Sequence, residues 1–106
     1  MTLDSRLKSE VEDKLKKLIV GQLKYSHIDI TPENIKPDSN FYDLGADNID
    51  LMELRMAVEE TYRIDISNED AQKILTVGQA IDYISKQIND LAEKPGPWRD
   101  FVNRLT

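Results

Sequence analysis

Apolar residues recur along most of the chain at spacings of three and four, the pattern of an amphipathic α-helix. The first stripe predicts a helix over residues 3–25 and consists of Leu3, Leu7, Val11, Leu15 and Leu18. Residues 26–46 contain Pro32 and Pro37 and are typical of a long structured loop. Within that loop, the sequence Thr-Pro-Glu-Asn at 31–34 indicates a single capped turn.

The second half of the chain predicts three more helices. One runs from about Asn48 to Tyr62, and a short one, capped by the Ser-Asn-Glu-Asp sequence at 67–70, ends near Ile74. Thr76 then opens a fourth helix, whose stripe is Val77, Ala80, Ile81, Ile84, Ile88 and Leu91. The only candidate strand, residues 63–66, is too short to count. The pattern therefore predicts an all-α domain.

The predicted second helix carries two apolar stripes instead of one. Leu51, Leu54, Val58 and Tyr62 form the first, and Ile49, Met52 and Met56 form the second, about a third of a turn away. In a small bundle one stripe faces the core. The other is either an exposed docking face or part of a helix buried on most of its circumference, with methionines filling gaps. Glu53, Glu59 and Glu60 flank the second stripe and favour the docking face.

Length and composition limit the classes of function. The chain has 106 residues, enough for one small domain with a modest core. It has no cysteine, which excludes disulfides, thiolate metal sites and a cysteine nucleophile. No apolar run is long enough to span a bilayer, and no secretory signal is recognisable. We therefore expect a cytoplasmic protein that is not inserted in a membrane.

The net charge of −6 is unevenly distributed. Residues 1–28 carry +2, residues 29–70 carry −9 and residues 71–106 carry +1. The negative segment surrounds the start of the second helix, where it repels nucleic acid and attracts basic protein surfaces. The alternative is a solvated, solubilising face. The charge also favours a monomer.

A motif at the start of the second helix resembles the signature of the acyl carrier protein family. It reads Asp-Leu-Gly-Ala-Asp-Asn-Ile-Asp-Leu-Met-Glu-Leu over residues 43–54, and the Thr-Val-Gly-Gln-Ala-Ile-Asp-Tyr-Ile sequence at 76–84 is similar to the same family. The resemblance covers about residues 5–90. It implies a four-helix bundle of acyl-carrier type, with a long loop after the first helix and a short third helix, in a non-enzymatic carrier of thioester intermediates.

The family's cofactor, phosphopantetheine, is attached to a serine in an Asp-Ser-Leu or Asp-Ser-Ile triplet. Here the triplet is Asp47-Asn48-Ile49, so Asn48 occupies the attachment position. A serine oxygen can be deprotonated and attack phosphorus, whereas a carboxamide is a poor nucleophile. The alternative role of Asn48 is that of a helix N-cap or first-turn residue, and Asp47 with Asp50 can also provide capping. We therefore expect no arm on this chain.

The resemblance also implies two groups of binding residues. Partner enzymes with basic surfaces, among them synthases, transferases and the phosphopantetheinyl transferase, are expected to contact Asp47, Ile49, Asp50, Met52, Glu53, Met56, Glu59 and Glu60. The interior that holds an acyl chain corresponds to Phe41, Leu54, Val58, Ile66, Ala71, Ile74 and Ala80, which also suit an ordinary core. Arg55 departs from the family pattern, since a neutral or apolar residue is usual there, and it is expected to weaken or redirect docking.

Two functions agree with these features. The first is an acyl carrier protein of fatty-acid or polyketide biosynthesis that is unable to take its arm. The second is a non-carrier paralogue that acts as an interaction or regulatory module through the acidic face of the second helix. No catalytic residue, metal site or nucleic-acid-binding pattern is predicted. A non-covalent apolar ligand in the bundle is a third, weaker hypothesis.

Residues 93–106 fall outside the resemblance. We therefore divide the chain into an acyl-carrier-like domain over residues 1–92 and a C-terminal segment over residues 93–106. The segment consists of a Pro-Gly-Pro linker and an extra short amphipathic helix. The apolar face of that helix consists of Trp98, Phe101, Val102 and Leu105. It either packs on its own bundle, which we favour because an exposed Trp98 risks aggregation, or binds a partner.

Overall fold

A computed structural model of the protein describes residues 3–23, 30–93 and 104. The helices are α1 (Leu3–Leu23), α2 (Asn48–Tyr62), α3 (Asn68–Lys73) and α4 (Val77–Ala92), with one 3-10 turn at Pro32–Asn34. The described ranges hold no strand, only an isolated bridge between Asn40 and Thr76. The prediction of an all-α bundle with a short third helix is confirmed. The predicted C-terminal face of Trp98, Phe101, Val102 and Leu105 lies outside the described residues, and the division at 92/93 stays a prediction.

Local capping explains where the helices begin. The hydroxyl of Thr76 accepts a hydrogen bond from the backbone N–H of Gln79 at 3.2 Å, and the Gln79 side chain accepts one from the backbone N–H of Thr76 at 3.0 Å. The Ser67 hydroxyl likewise accepts from the backbone N–H of Asp70 at 3.1 Å. These contacts satisfy N–H groups that have no partner inside the helix. Both caps were predicted from the sequence.

The core lies where α1 packs against α2 and α4. Of the stripe of α1, Leu7, Val11 and Leu15 are buried and Leu18 is half-buried. The hydroxyl of Tyr62 in α2 donates a hydrogen bond to the carbonyl of Val11 at 3.1 Å within this core. Burial raises the pKa of Tyr62 above its ordinary value. No helix in the described ranges is long and apolar enough to cross a membrane.

The long loop is held against the start of α4, and this positions the beginning of α2. Phe41 is buried and donates its backbone N–H to the carbonyl of Leu75 at 3.1 Å. Gly78 donates its N–H to the carbonyl of Pro37 at 2.7 Å, and a Cβ at Gly78 would lie 2.8 Å from that oxygen, so glycine is required there. Gly45, with φ of 98°, turns the chain into α2 through a conformation that favours glycine.

Candidate functional site

The start of α2 is closed by two carboxylates. Asp47 is the N-cap, and its side chain accepts a hydrogen bond from the backbone N–H of Asp50 at 2.8 Å. The Asp50 carboxylate accepts in return from the backbone N–H of Asp47 at 3.1 Å. Negative charge at this end of a helix is stabilised by the helix dipole. Of the two positions considered for Asn48, the structure therefore shows the first-turn position, because Asp47 occupies the cap.

Asn48 is exposed at the first position of α2, and its side-chain oxygen accepts a hydrogen bond from the Tyr42 hydroxyl at 3.0 Å. The nearest serines in the sequence are both used elsewhere in the fold. The Ser39 hydroxyl accepts from the backbone N–H of Lys36 at 2.9 Å, and that of Ser67 caps α3. Because the motif at 43–54 contains no serine and these two have other roles, no serine replaces Asn48.

The two stripes of α2 face different environments. Leu54, Val58 and Tyr62 are buried, and Leu51 is half-buried. The second stripe is more than half exposed, with relative exposures of 60% for Ile49, 57% for Met52 and 62% for Met56. The hypothesis of a helix buried on most of its circumference is therefore wrong. Of the acidic residues expected to contact partners, Asp47, Glu53 and Glu60 are exposed, whereas Asp50 and Glu59 are half-buried.

Arg55 and Glu59 make contacts within the fold that the sequence did not reveal. One terminal nitrogen of Arg55 donates to the Asn68 side chain at 2.7 Å, and the other donates to the backbone carbonyl of Ile66. Glu59 accepts from the backbone N–H of Ile66 at 3.0 Å and lies 3.9 Å from Arg55 Nε. The only signal for this arrangement was the spacing of four between Arg55 and Glu59.

An apolar cavity of about 300 Å³ lies between α2, α3 and α4. Its lining includes all seven residues expected to form an acyl pocket or core, Phe41, Leu54, Val58, Ile66, Ala71, Ile74 and Ala80. It also includes six residues that were not assigned to it: Leu15, Leu51, Met52, Arg55, Tyr83 and Ile84. The pattern of apolar spacing identified the inward face, but it did not show which inward residues leave space between them.

A more polar groove of about 440 Å³ begins at Asn48. Tyr42, Asn68, Gln72 and Leu75 contribute to its walls. Five residues line both the groove and the cavity: Phe41, Leu51, Arg55, Ala71 and Ile74. The groove beside Asn48 and the apolar cavity are therefore neighbours that share part of their walls.

One further polar contact at the site joins α3 to α4. The Tyr83 hydroxyl donates to the Asp70 carboxylate at 2.9 Å, and burial, with that hydrogen bond second, raises the pKa of Tyr83. Among the residues that the structure describes, no group of three His, Asp or Glu side chains is arranged to hold a metal ion.

The site coincides with a region of similarity to known proteins. The family model for the phosphopantetheine attachment site matches residues 13–84. An acyl carrier protein of Nitratidesulfovibrio vulgaris (strain DP4) is 49% identical over 78 residues, which cover 73% of this chain and 96% of that protein. The acyl carrier protein of the Hildenborough strain shows the same identity and coverage.

Proposed function

The chain belongs to the acyl carrier protein family, and from this premise we propose that it has the docking surface and interior of a carrier of thioester intermediates but takes no phosphopantetheine arm. Proteins of this family are carriers and not enzymes, and phosphopantetheine is their cofactor. What this chain does with the family's scaffold depends chiefly on the side chain at position 48.

Asn48 does not fit covalent attachment of the arm. The family's chemistry requires a hydroxyl oxygen as nucleophile, and asparagine offers a carboxamide whose nitrogen lone pair is delocalised. The carboxamide oxygen already accepts the Tyr42 hydroxyl at 3.0 Å. Two surrounding features suit an attachment position: Asn48 is an exposed first-turn residue, and it lines a groove that shares residues with the apolar cavity.

We infer that the exposed strip of Ile49, Met52 and Met56 is the docking face for enzymes with basic surfaces. Three apolar side chains more than half exposed on one helix face are unusual for a surface position without a partner. The exposed carboxylates of Asp47, Glu53 and Glu60 form a charged rim, which suits Lys- and Arg-rich partners such as synthases and transferases. We further propose that the protein acts in the cytoplasm and is a monomer, because a net charge of −6 opposes self-association.

The second candidate is a non-carrier paralogue that binds or regulates such enzymes. Arg55 is the observation that favours it, because the guanidinium makes three polar contacts at a position where the family usually has a neutral or apolar residue. Both candidates use the same α2 face and lack an arm. They differ in whether an arm-attaching enzyme still recognises the surface.

The test is the intact mass of the protein after incubation with coenzyme A, magnesium and a broad-specificity phosphopantetheinyl transferase. Asn48→Ser is expected to gain one arm, and the unaltered chain none. The matched control is Asn68→Ser, because Asn68 is the first residue of α3 just as Asn48 is the first residue of α2. If Asn48→Ser also gains nothing, the surface has diverged and the interaction module is supported. An arm on the unaltered chain would overturn the assignment of Asn48.

A further inference from the structure

The exposed strip of α2 contains two of the three methionines of the chain. Met52 and Met56 lie four residues apart, which places them on the same face of the helix as Ile49. Both side chains are more than half exposed. Met1, the third methionine, lies outside the described residues. Methionine side chains that are exposed to solvent are accessible to a dissolved oxidant, which converts the thioether to a sulfoxide.

The sulfur chemistry of this chain is confined to methionine, because the sequence has no cysteine whose thiol would compete for an oxidant. In the reaction with hydrogen peroxide, a lone pair of the thioether sulfur attacks one peroxide oxygen. The S–O bond forms as the O–O bond breaks, and the second oxygen leaves as water. The sulfur gives up an electron pair that the peroxide accepts. Methionine sulfoxide reductases reverse the step with a dithiol, which becomes a disulfide while the sulfoxide oxygen leaves as water.

Oxidation of these two methionines changes the exposed face of α2 and leaves its buried face as it is. Leu54, Val58 and Tyr62 are the residues of α2 that are buried in the core. A sulfoxide oxygen is a hydrogen-bond acceptor that water satisfies while the side chain is exposed. Under a bound partner the same oxygen loses its water, which costs free energy unless the partner provides a donor. The sulfoxide is neutral, so the exposed carboxylates of Glu53 and Glu60 keep their charge.

We propose that Met52 and Met56 form a reversible oxidation site, at which a hydroperoxide weakens the binding of α2 to an enzyme with a basic surface. The inference rests on the proposed function, because it takes the strip of Ile49, Met52 and Met56 as the docking face. The oxidised protein keeps the acidic rim that attracts the partner and loses the apolar contact that holds it. The oxidation state of the two sulfur atoms therefore controls the affinity of this face without changing its charge.

Calorimetric titration of the unaltered chain into a broad-specificity phosphopantetheinyl transferase tests the proposal. The chain is used untreated, after treatment with hydrogen peroxide, and after later treatment with the reductases for both sulfoxide epimers. Mass spectrometry of its peptides shows whether Met52 and Met56 carry oxygen. We expect the dissociation constant to rise at least about tenfold on oxidation and to return to the untreated value on reduction. The far-ultraviolet circular dichroism spectrum should stay the same throughout.

The matched control is the double variant Met52→Leu/Met56→Leu, which keeps apolar side chains of similar volume and retains Met1 and Trp98. It is compared only with itself before and after peroxide, because both substitutions lie in the docking face. Peroxide should leave its dissociation constant unchanged. A rise equal to that of the unaltered chain means that another oxidised residue is responsible, and it overturns the proposal. If the double variant does not bind, each single variant takes its place and should show a smaller rise than the unaltered chain.

The remaining outcomes separate the oxidation site from the docking face. If the untreated chain does not bind the transferase, the docking face is wrong and this proposal is wrong with it. If binding persists after Met52 and Met56 are oxidised, or if they stay unoxidised in the folded chain, the oxidation site alone is wrong. A changed circular dichroism spectrum means that oxidation disrupts the fold, which also contradicts the proposal. The dependence of the dissociation constant on salt should be equally steep before and after oxidation, because the acidic rim is retained. A shallower dependence after oxidation would assign the effect to the charged residues and contradict the proposal.

Discussion

Leu54 and Met56 lie two residues apart on α2 but on different faces of the helix. Replacing each with alanine and measuring the free energy of unfolding shows which of the two faces is packed. Leu54 is 6% exposed and lines the cavity, whereas Met56 is 62% exposed. Leu54→Ala removes three buried carbons, which costs about 2.4 kcal/mol at about 0.8 kcal/mol per methylene. The enlarged cavity adds to this, but Leu54 already borders empty space. We therefore expect a loss of about 3 kcal/mol, in the lower half of the usual range for Leu→Ala.

Met56→Ala is expected to change the free energy of unfolding by less than about 0.5 kcal/mol, because it removes little buried surface and alanine has the higher helix propensity. The assay is urea unfolding followed by far-ultraviolet circular dichroism. The free energies of the two variants are compared only if the free energy of unfolding depends on urea concentration with the same slope in both. If Met56→Ala costs as much as Leu54→Ala, the second stripe is packed and cannot be a free docking face. A loss below about 1 kcal/mol for Leu54→Ala would show that the cavity lining contributes little.

Two further predictions concern polar groups in the core. Ser85 is 3% exposed, and its hydroxyl has no hydrogen-bond partner among the residues that the structure describes. Ser85→Ala should therefore raise the free energy of unfolding by about 1 kcal/mol in the same urea assay, and a loss would reveal a hydrogen bond. Burial raises the pKa of Tyr62, so the unfolded chain loses the phenolic proton first, and stability should fall as the pH rises above about 10. Tyr62→Phe should make that fall smaller, and an equally steep fall would contradict the assignment.

The elements predicted from sequence are those whose signals are local. Ser67, Asp47 and Thr76 each precede their helix by one position and accept a hydrogen bond from a backbone N–H three residues on. Such a contact depends on neighbouring residues alone, and so do the apolar stripes that predicted the helices. The motif at 43–54 was likewise sufficient to indicate the family. These predictions were correct because no distant residue competes with the local preference.

Side-chain partners across elements were not predictable in the same way. Arg55 was expected to affect docking through its charge, but its guanidinium contacts Ile66 and Asn68 in the segment after α2. Glu59 was expected to contact partners, and it accepts a hydrogen bond from Ile66. The contact between Asn48 and Tyr42 also depends on how the loop meets the helix. A long polar side chain can adopt several rotamers, and its choice depends on residues that are near only in the folded chain.

By itself, the amino-acid sequence determined the helices, their caps, the two stripes of α2 and the identity of the residue at position 48. These properties follow from helical periodicity, from hydrogen bonds over a few residues and from the chemistry of one side chain. Only the tertiary structure decided that the second stripe is exposed, that the inward residues leave a cavity between them, and that Arg55 and Glu59 form hydrogen bonds with the segment that contains Ile66 and Asn68. Burial and empty space are properties of surfaces brought together by packing, and no local pattern specifies how completely two such surfaces meet.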